Sequence, residues 1–208
     1  MKHPKSHPLS HLPSCLDLEK LLMERIEHPE RAKKIDATIH KLFEQERTIF
    51  VLDMSGFSRI VQRHGILHYL AMIHRMRRVV APVIERYKGA VVKFEADNCF
   101  AVFPHPEGAV AAALDIHHDL EIANLMTPDE SDIHVSIGIG HGKILLACDD
   151  LYGDELNLAS KLGEDVAEKN EILLTASARK KIKKSSQSFS EFPLTISGVT
   201  MKMYKVRA

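Results

Sequence analysis

Apolar and polar positions follow two rhythms along this chain, and the changes of rhythm divide it into elements. Leu18, Leu21, Leu22 and Ile26 recur at helical spacing within residues 16–28. Ile35, Ile39, Leu42 and Phe43 do the same within 30–46, with Pro29 opening that second helix. Thr48 to Met54, TIFVLDM, is instead a short continuous apolar run of the kind a buried strand needs. Helical spacing returns from Ile60 to Tyr87 through Val61, Leu67, Leu70, Ile73, Met76, Val80, Val83 and Ile84, punctuated by Gly65 and Pro82. Gly89 ends it. Val91 to Phe103, VVKFEADNCFAVF, predicts a β-hairpin around the polar tip Glu95-Ala96-Asp97-Asn98.

Pro106 to Leu125 is a further amphipathic helix. Ile133, Val135, Ile137 and Ile139 alternate as in a strand, Gly140-His141-Gly142 predicts a turn, and Lys143 to Cys148 a returning strand. Asp154 to Val166 predicts a short helix capped by Asp154. A strand over 171–175, a basic helix over 176–184 and a strand pair over 192–196 and 201–206 complete the chain. This order contains β-α-β-β-α-β, a ferredoxin-like α+β arrangement behind an N-terminal helical extension.

A chain of 208 residues suits one main domain with an appendage. The chain is expected to divide into a His/Pro-rich disordered tail (1–14), a helical extension (15–46) and the main domain (47–208). His3, His7 and His11 invite a metal site, but Pro4, Pro8 and Pro13 break any helix that would align them. The helical extension has two readings: helices packed on the domain, or an input element that meets a regulatory partner. Basic and acidic residues balance at 28 each and no basic stripe stands out, which argues against nucleic acid. Cys15, Cys99 and Cys148 are scattered without CxxC spacing, which predicts reduced thiols and a cytoplasmic setting. The opening residues lack the apolar centre of a signal peptide, and no run approaches the about 20 apolar residues of a membrane span.

Three charged groups need explaining, and for Asp97 and Lys93 the plain accounts are a turn residue and a snorkelling side chain. Asp53 ends the buried run 48–54, where a carboxylate must be solvated, paired or bound to a cation. Asp97 sits at the hairpin tip, and with the strand beside the hairpin the two carboxylates meet at one end of a sheet. Oxygen-only ligands of that kind suit magnesium or manganese. Ser55-Gly56-Phe57-Ser58 follows Asp53 and can turn into a helix whose free N–H groups face an anion. Lys93 lies inside an otherwise apolar strand.

These stretches also carry a resemblance. Asp53-Met54-Ser55-Gly56-Phe57-Ser58 resembles the D-[IM]-x-G-F-[ST] motif of class III nucleotidyl cyclase catalytic domains. Lys93-Phe94-Glu95-Ala96-Asp97 is similar to the family's K-x-x-G-D, with alanine for glycine. The segment from Asp150 to Lys161 is similar to D-x-x-G-x-x-V-N-x-A-x-R, with Lys161 for the arginine. The resemblance covers about residues 46 to 207.

It implies a ferredoxin-like fold and an adenylate cyclase that turns ATP into cyclic AMP and pyrophosphate with two Mg2+ or Mn2+ ions. Asp53 and Asp97 correspond to the metal ligands, and Gly56, Phe57 and Ser58 to the phosphate loop. Lys93 and Asp150 correspond to the base-reading pair, Asn157 to the ribose-orienting asparagine, and Lys161 to the cation over the transition-state phosphate. The family pairs catalytic domains head to tail, so a homodimer with shared clefts is implied. Ser136 stands where some relatives carry a phosphate-binding arginine, and Ala96 strains the tip if its φ is positive. Two alternatives stay open: a cyclase-like ATP- or metal-binding regulator with little turnover, and a guanylate cyclase.

Overall fold

The computed structural model describes residues 14–183, 186–196 and 198–207; the side chains of Phe57 and Ser58, and the expected tail up to residue 13, lie outside the described residues. The described chain folds as a mixed α+β structure around a single sheet. It opens with helices α1 (Cys15–Glu27) and α2 (Ala32–Phe43), then β1 (Glu44–Met54), α3 (Phe57–His64), α4 (Ile66–Arg86), β2 (Ala90–Glu95) and β3 (Asn98–Phe103). There follow α5 (Pro106–Asn124), β4 (Val135–Ala147), β5 (Asp150–Tyr152), α6 (Asp154–Ser160) and a π-helical turn, Lys161–Val166. The chain closes with β6 (Ile172–Thr175), α7 (Ala176–Lys181), β7 (Ser188–Ile196) and β8 (Val199–Arg207).

The sheet order is β2-β3-β1-β4-β6-β8-β7, with β5 paired to β4. Its first four strands, linked by α4 and α5, form the antiparallel ferredoxin-like unit that the sequence order predicts. Period-two alternation splits the strands between two faces. Phe50, Leu52, Met54, Val135 and Ile137 pack under α4 and α5, with Met76, Val80 and Ile116. Ile49, Val51, Val92, Phe100 and Ile144 face the other way, where α6 covers only part of the sheet through Leu156 and Ala159.

Several expectations are corrected. Gly140-His141-Gly142 is no turn: β4 runs unbroken and pairs with all of β1, from Glu44↔Leu145 to Met54↔Val135. Its glycines serve close approach instead, because α6 lies directly on them. Strand β1 starts at Glu44, so the second N-terminal helix stops three residues short of Glu46. Gly65 does break the 60–87 stretch, but Pro82 sits inside α4 without ending it. Gly153, not Asp154, is the N-cap of α6.

The cysteines are not all the reduced thiols expected. Cys15 and Cys148 form a disulfide, with Cα atoms 5.0 Å apart, while Cys99 is a buried free thiol. Packing of Leu18, Ile35, Ile39 and Phe43 against Ala147 sets α1 over the β4–β5 turn, joining cysteines 133 positions apart. The cysteines therefore give no support to a reducing compartment. Leu16, Leu22, Met23, Ile26 and Leu42 remain exposed on the outer side of these helices. Among the described residues no helix is long and apolar enough to cross a membrane.

Candidate active site

Strand β1 carries Asp53 out at the end of the face that holds Ile49 and Val51, level with Ser136 of β4. The hairpin β2–β3 turns at the same end, with Glu95 paired to Asn98 and Ala96-Asp97 forming the loop. Ala96 has φ 48°, the left-handed conformation that a glycine would adopt more cheaply. Asp53 is half-buried, and burial first and the nearby Asp97 charge second push its carboxyl up to about 7. Glu164 and Asp165 of the π-helical turn add to that repulsion. Glu164 is itself raised, chiefly by burial.

Negative charge thus accumulates around Asp53. An oxygen-rich, electron-rich donor set of this kind fits a hard divalent cation. Among the described residues no group of three or more His, Cys, Asp or Glu side chains forms a ready-made metal cage. Asp53 and Asp97 would leave the remaining positions to water and phosphate oxygens, as magnesium sites commonly do.

The residues expected to form a phosphate loop follow directly in the chain. Gly56 has φ 98° and stands at the N-cap of α3, with no side chain bonded to the helix start. The first N–H groups of α3, at Phe57 and Ser58, are those that a helix leaves without internal partners. Ser55 N–H donates to the His134 carbonyl at 2.9 Å, tying the loop to the approach of β4.

Lys93 and Asp150 come together through a sheet irregularity. A β-bulge shifts the register between Val91 and Lys93, so Lys93 stands opposite Phe100 and on its face. Its ammonium lies 5.0 Å from the Phe100 ring centre, 2.9 Å from Glu95 Oε2 and 3.0 Å from Asp150 Oδ1. Hydrogen bonding to Glu95, and then to Asp150, raises its pKa. Asp150 is presented by β5 after a two-residue turn in which Cys148 and Asp149 both have positive φ. Asp150 also accepts from Leu151 N–H at 2.7 Å.

Asn157 and Lys161 lie one turn apart on the α6 segment, both exposed. The helix is pressed onto the sheet: a β-carbon on Gly138 would stand 2.0 Å from the Ala159 carbonyl oxygen, and one on Gly140 2.8 Å from that of Glu155. Glu155 fastens it, accepting from His141 N–H (3.2 Å), Thr175 Oγ1 (2.9 Å) and Ser177 Oγ (2.5 Å). Lys161 does not point freely outward; its Nζ donates to Asp165 Oδ2 at 2.6 Å. A separate cleft of about 1030 Å³ opens at the far end of β1, between Arg47, Tyr87, His105, His141 and Lys181. It contains none of the candidate residues.

Two contacts at the hairpin tip escape sequence reasoning. Tyr69 Oη on α4 donates to Asp97 Oδ2 at 2.5 Å, and Arg77 Nη2 donates to the Ala96 carbonyl at 2.7 Å. Burial and that bond to Asp97 push the Tyr69 phenol above its ordinary range. The only signal in the sequence is a tyrosine and an arginine on a long amphipathic helix, which does not name their partners. Glu164 was equally silent, reading as one more polar residue of a short helix.

The sequence matches the family described as the Adenylate and Guanylate cyclase catalytic domain over residues 41–208. A protein of Rhizobium meliloti (strain 1021) named Putative adenylate cyclase 3 is 26% identical over 114 residues, 55% of this chain. The chain spans only 19% of that relative's length. Among solved structures, an adenylate/guanylate cyclase/hydrolase from Silicibacter pomeroyi is 25% identical, with a TM-score of 0.69 over 78% of this chain and 96% of that one. The adenylyl cyclase CyaB from P. aeruginosa shares the fold at 18% identity, with a TM-score of 0.68 over 79% of this chain and 96% of that one.

Proposed function

Because the chain belongs to the adenylate and guanylate cyclase catalytic domain family, we propose that it is an adenylate cyclase. It converts ATP to cyclic AMP and pyrophosphate in clefts shared by two copies. The observation that carries the choice of base is the Lys93–Asp150 pair, 3.0 Å apart. Adenine offers an N1 acceptor to an ammonium and an N6 donor to a carboxylate. Guanine presents N1–H and O6, which would leave both side chains wrongly matched at a cost of buried, unpaired charge. The name of the Rhizobium relative agrees with this reading.

In the reaction the ribose 3′-oxygen attacks the α-phosphorus, the bond to the pyrophosphate oxygen breaks, and the hydroxyl proton leaves to solvent. Asp53 and Asp97 would hold two Mg2+ or Mn2+ ions, which when bound acidify the ribose hydroxyl and neutralise phosphate charge. The N–H groups at Gly56, Phe57 and Ser58 take the phosphates. Asn157 orients the ribose, and Lys161 presents its charge to the phosphate after leaving Asp165. Within one chain, Glu164 and Asp165 surround Asp53 with negative charge. That favours a cleft whose cationic side chains come from a second copy, with Lys93, Asp150, Asn157 and Lys161 of one chain facing Asp53 and Asp97 of the other. The exposed apolar side of α1 and α2 suits a regulatory partner.

One observation favours a second reading. Lys161 replaces the arginine fork and is engaged by Asp165, as expected of a nucleotide-responsive regulator without turnover. Purified protein with ATP or GTP and Mn2+ or Mg2+ decides between them. Equal amounts of cyclic AMP and pyrophosphate from ATP, lost in Asp53→Asn and Asp97→Asn, are expected. Nucleotide binding without any cyclic product would overturn the enzyme in favour of the regulator, and cyclic GMP as main product would overturn the base assignment.

A further inference from the structure

Helix α4 reaches both residues of the loop between β2 and β3. Tyr69, in its first turn, is 1% exposed and among the largest fully buried side chains, yet its hydroxyl is directed at Asp97 Oδ2, 2.5 Å away. Two turns further on, Arg77 donates to the Ala96 carbonyl at 2.7 Å and stacks 4.9 Å from the Phe94 ring centre. The Ala96–Asp97 peptide needs such support, since Ala96 is held at φ 48°. We propose that Tyr69 is a positioning residue for the Asp97 carboxylate, with Arg77 fixing the peptide beside it, so that α4 presets this ligand before a cation arrives. The inference rests on the reading of Asp97 as a metal ligand.

The geometry suits that role. A carboxylate has about four acceptor directions. Tyr69 takes one on Oδ2, which leaves Oδ1 for a cation and fixes the rotation of the group. An unheld Asp97 on a two-residue loop would lose rotamer freedom on binding; the Tyr69 bond has that freedom removed already. Partners of this kind behind a ligand typically change metal affinity by about 10- to 100-fold. A buried tyrosine serving packing alone would have no reason to place its oxygen against a carboxylate at the sheet's open end.

Mn2+ binding, measured by electron paramagnetic resonance on the whole 208-residue chain, tests this without turnover. Tyr69→Phe keeps the ring and removes the oxygen. It should weaken Mn2+ binding by about ten-fold while leaving the metal-free melting temperature within a few degrees. In an Asp97→Asn background the same change should have no further effect on Mn2+. Wild-type Mn2+ affinity in Tyr69→Phe, alongside a loss in Asp97→Asn, would overturn the positioning role and spare the site. Unchanged Mn2+ affinity in Asp97→Asn would overturn the metal assignment itself, and this inference with it. If Tyr69→Phe does not fold, Arg77→Met is read instead: folded protein must bind Mn2+ several-fold more weakly, or the proposal fails.

Discussion

Gly138 and Ala159 touch so closely that strand and helix share the space of one methyl group: a β-carbon on Gly138 would lie 2.0 Å from the Ala159 carbonyl oxygen. Gly163 repeats the contact from the helix side, where a β-carbon would lie 2.9 Å from Gly138 N and 2.9 Å from the Val51 carbonyl oxygen. The depth at which the α6 segment sits, and with it the height of Asn157 and Lys161, is set by missing side chains. Gly138→Ala must lift the helix, because backbone is all there is to yield. A stability loss of at least about 1–3 kcal/mol is expected from overpacking. Thermal melting would record it, and under the proposed role of Asn157 in orienting the ribose, turnover should fall further than the folded fraction does.

Lys161 and Asp165 set up a second test. The ammonium must leave a carboxylate 2.6 Å away before it can serve a phosphate. Asp165→Asn should therefore raise turnover, and Lys161→Arg should raise it several-fold by supplying a two-pronged donor. Steady-state kcat with ATP is the readout. Wild-type turnover in Lys161→Ala would show that this side chain never reaches the phosphate.

The charge around Asp53 makes a prediction about pH. Its carboxyl titrates near 7 in the folded protein against an ordinary 3.8, so between these values the folded state holds the extra proton. Stability from this group is then greatest below the lower value and declines as pH rises towards the upper one. Burial lowers the pKa of His117 and His134, which act in the opposite sense: their contribution is present above the usual histidine value and is lost as pH falls. Comparison with Asp53→Asn isolates the carboxylate. From about pH 5.5 to about pH 8, metal-free wild type should lose melting temperature relative to the variant. Mn2+ should restore it in wild type alone. Parallel melting curves would remove the buried-charge account of this site.

Shared clefts predict rescue between two dead proteins. Asp53→Ala and Asn157→Ala should each be inactive alone. In a mixed dimer one cleft collects both lesions and the other is whole. With random exchange, roughly a quarter of wild-type activity returns, as two-fold pairing of identical surfaces requires. A flat result with subunit exchange demonstrated would place the whole site within one chain.

Much of the fold was legible because its signals are local. The alternation in 91–103 predicts the hairpin, the apolar run 48–54 predicts a strand that delivers Asp53, and the order of elements leads to the ferredoxin-like unit seen in the sheet. Residue chemistry likewise makes Asp53, Asp97 and Lys93 conspicuous before any coordinates are known, whereas Asp150 stands out only through the family resemblance. Gly140-His141-Gly142 misleads for the same reason. Glycine in a local window signals a turn, whereas here it answers a helix that arrives from elsewhere in the chain.

What tertiary structure alone decided is which distant groups meet and which way side chains point. Plain alternation would put Lys93 on the face opposite Val92; the bulge at Val91/Lys93 turns it to Asp150. No spacing rule relates Tyr69 to Asp97, Cys15 to Cys148, or Glu155 to Thr175 and Ser177. Each of these contacts exists because packing of buried surfaces fixes the relative positions of whole elements, and a single polar group then meets whatever stands opposite. The sequence by itself determined the order of most strands and helices and made a few charged groups stand out, because those signals are local. Register, bulges and helix depth decided which of those groups face one another, because they depend on contacts between residues that lie far apart along the chain.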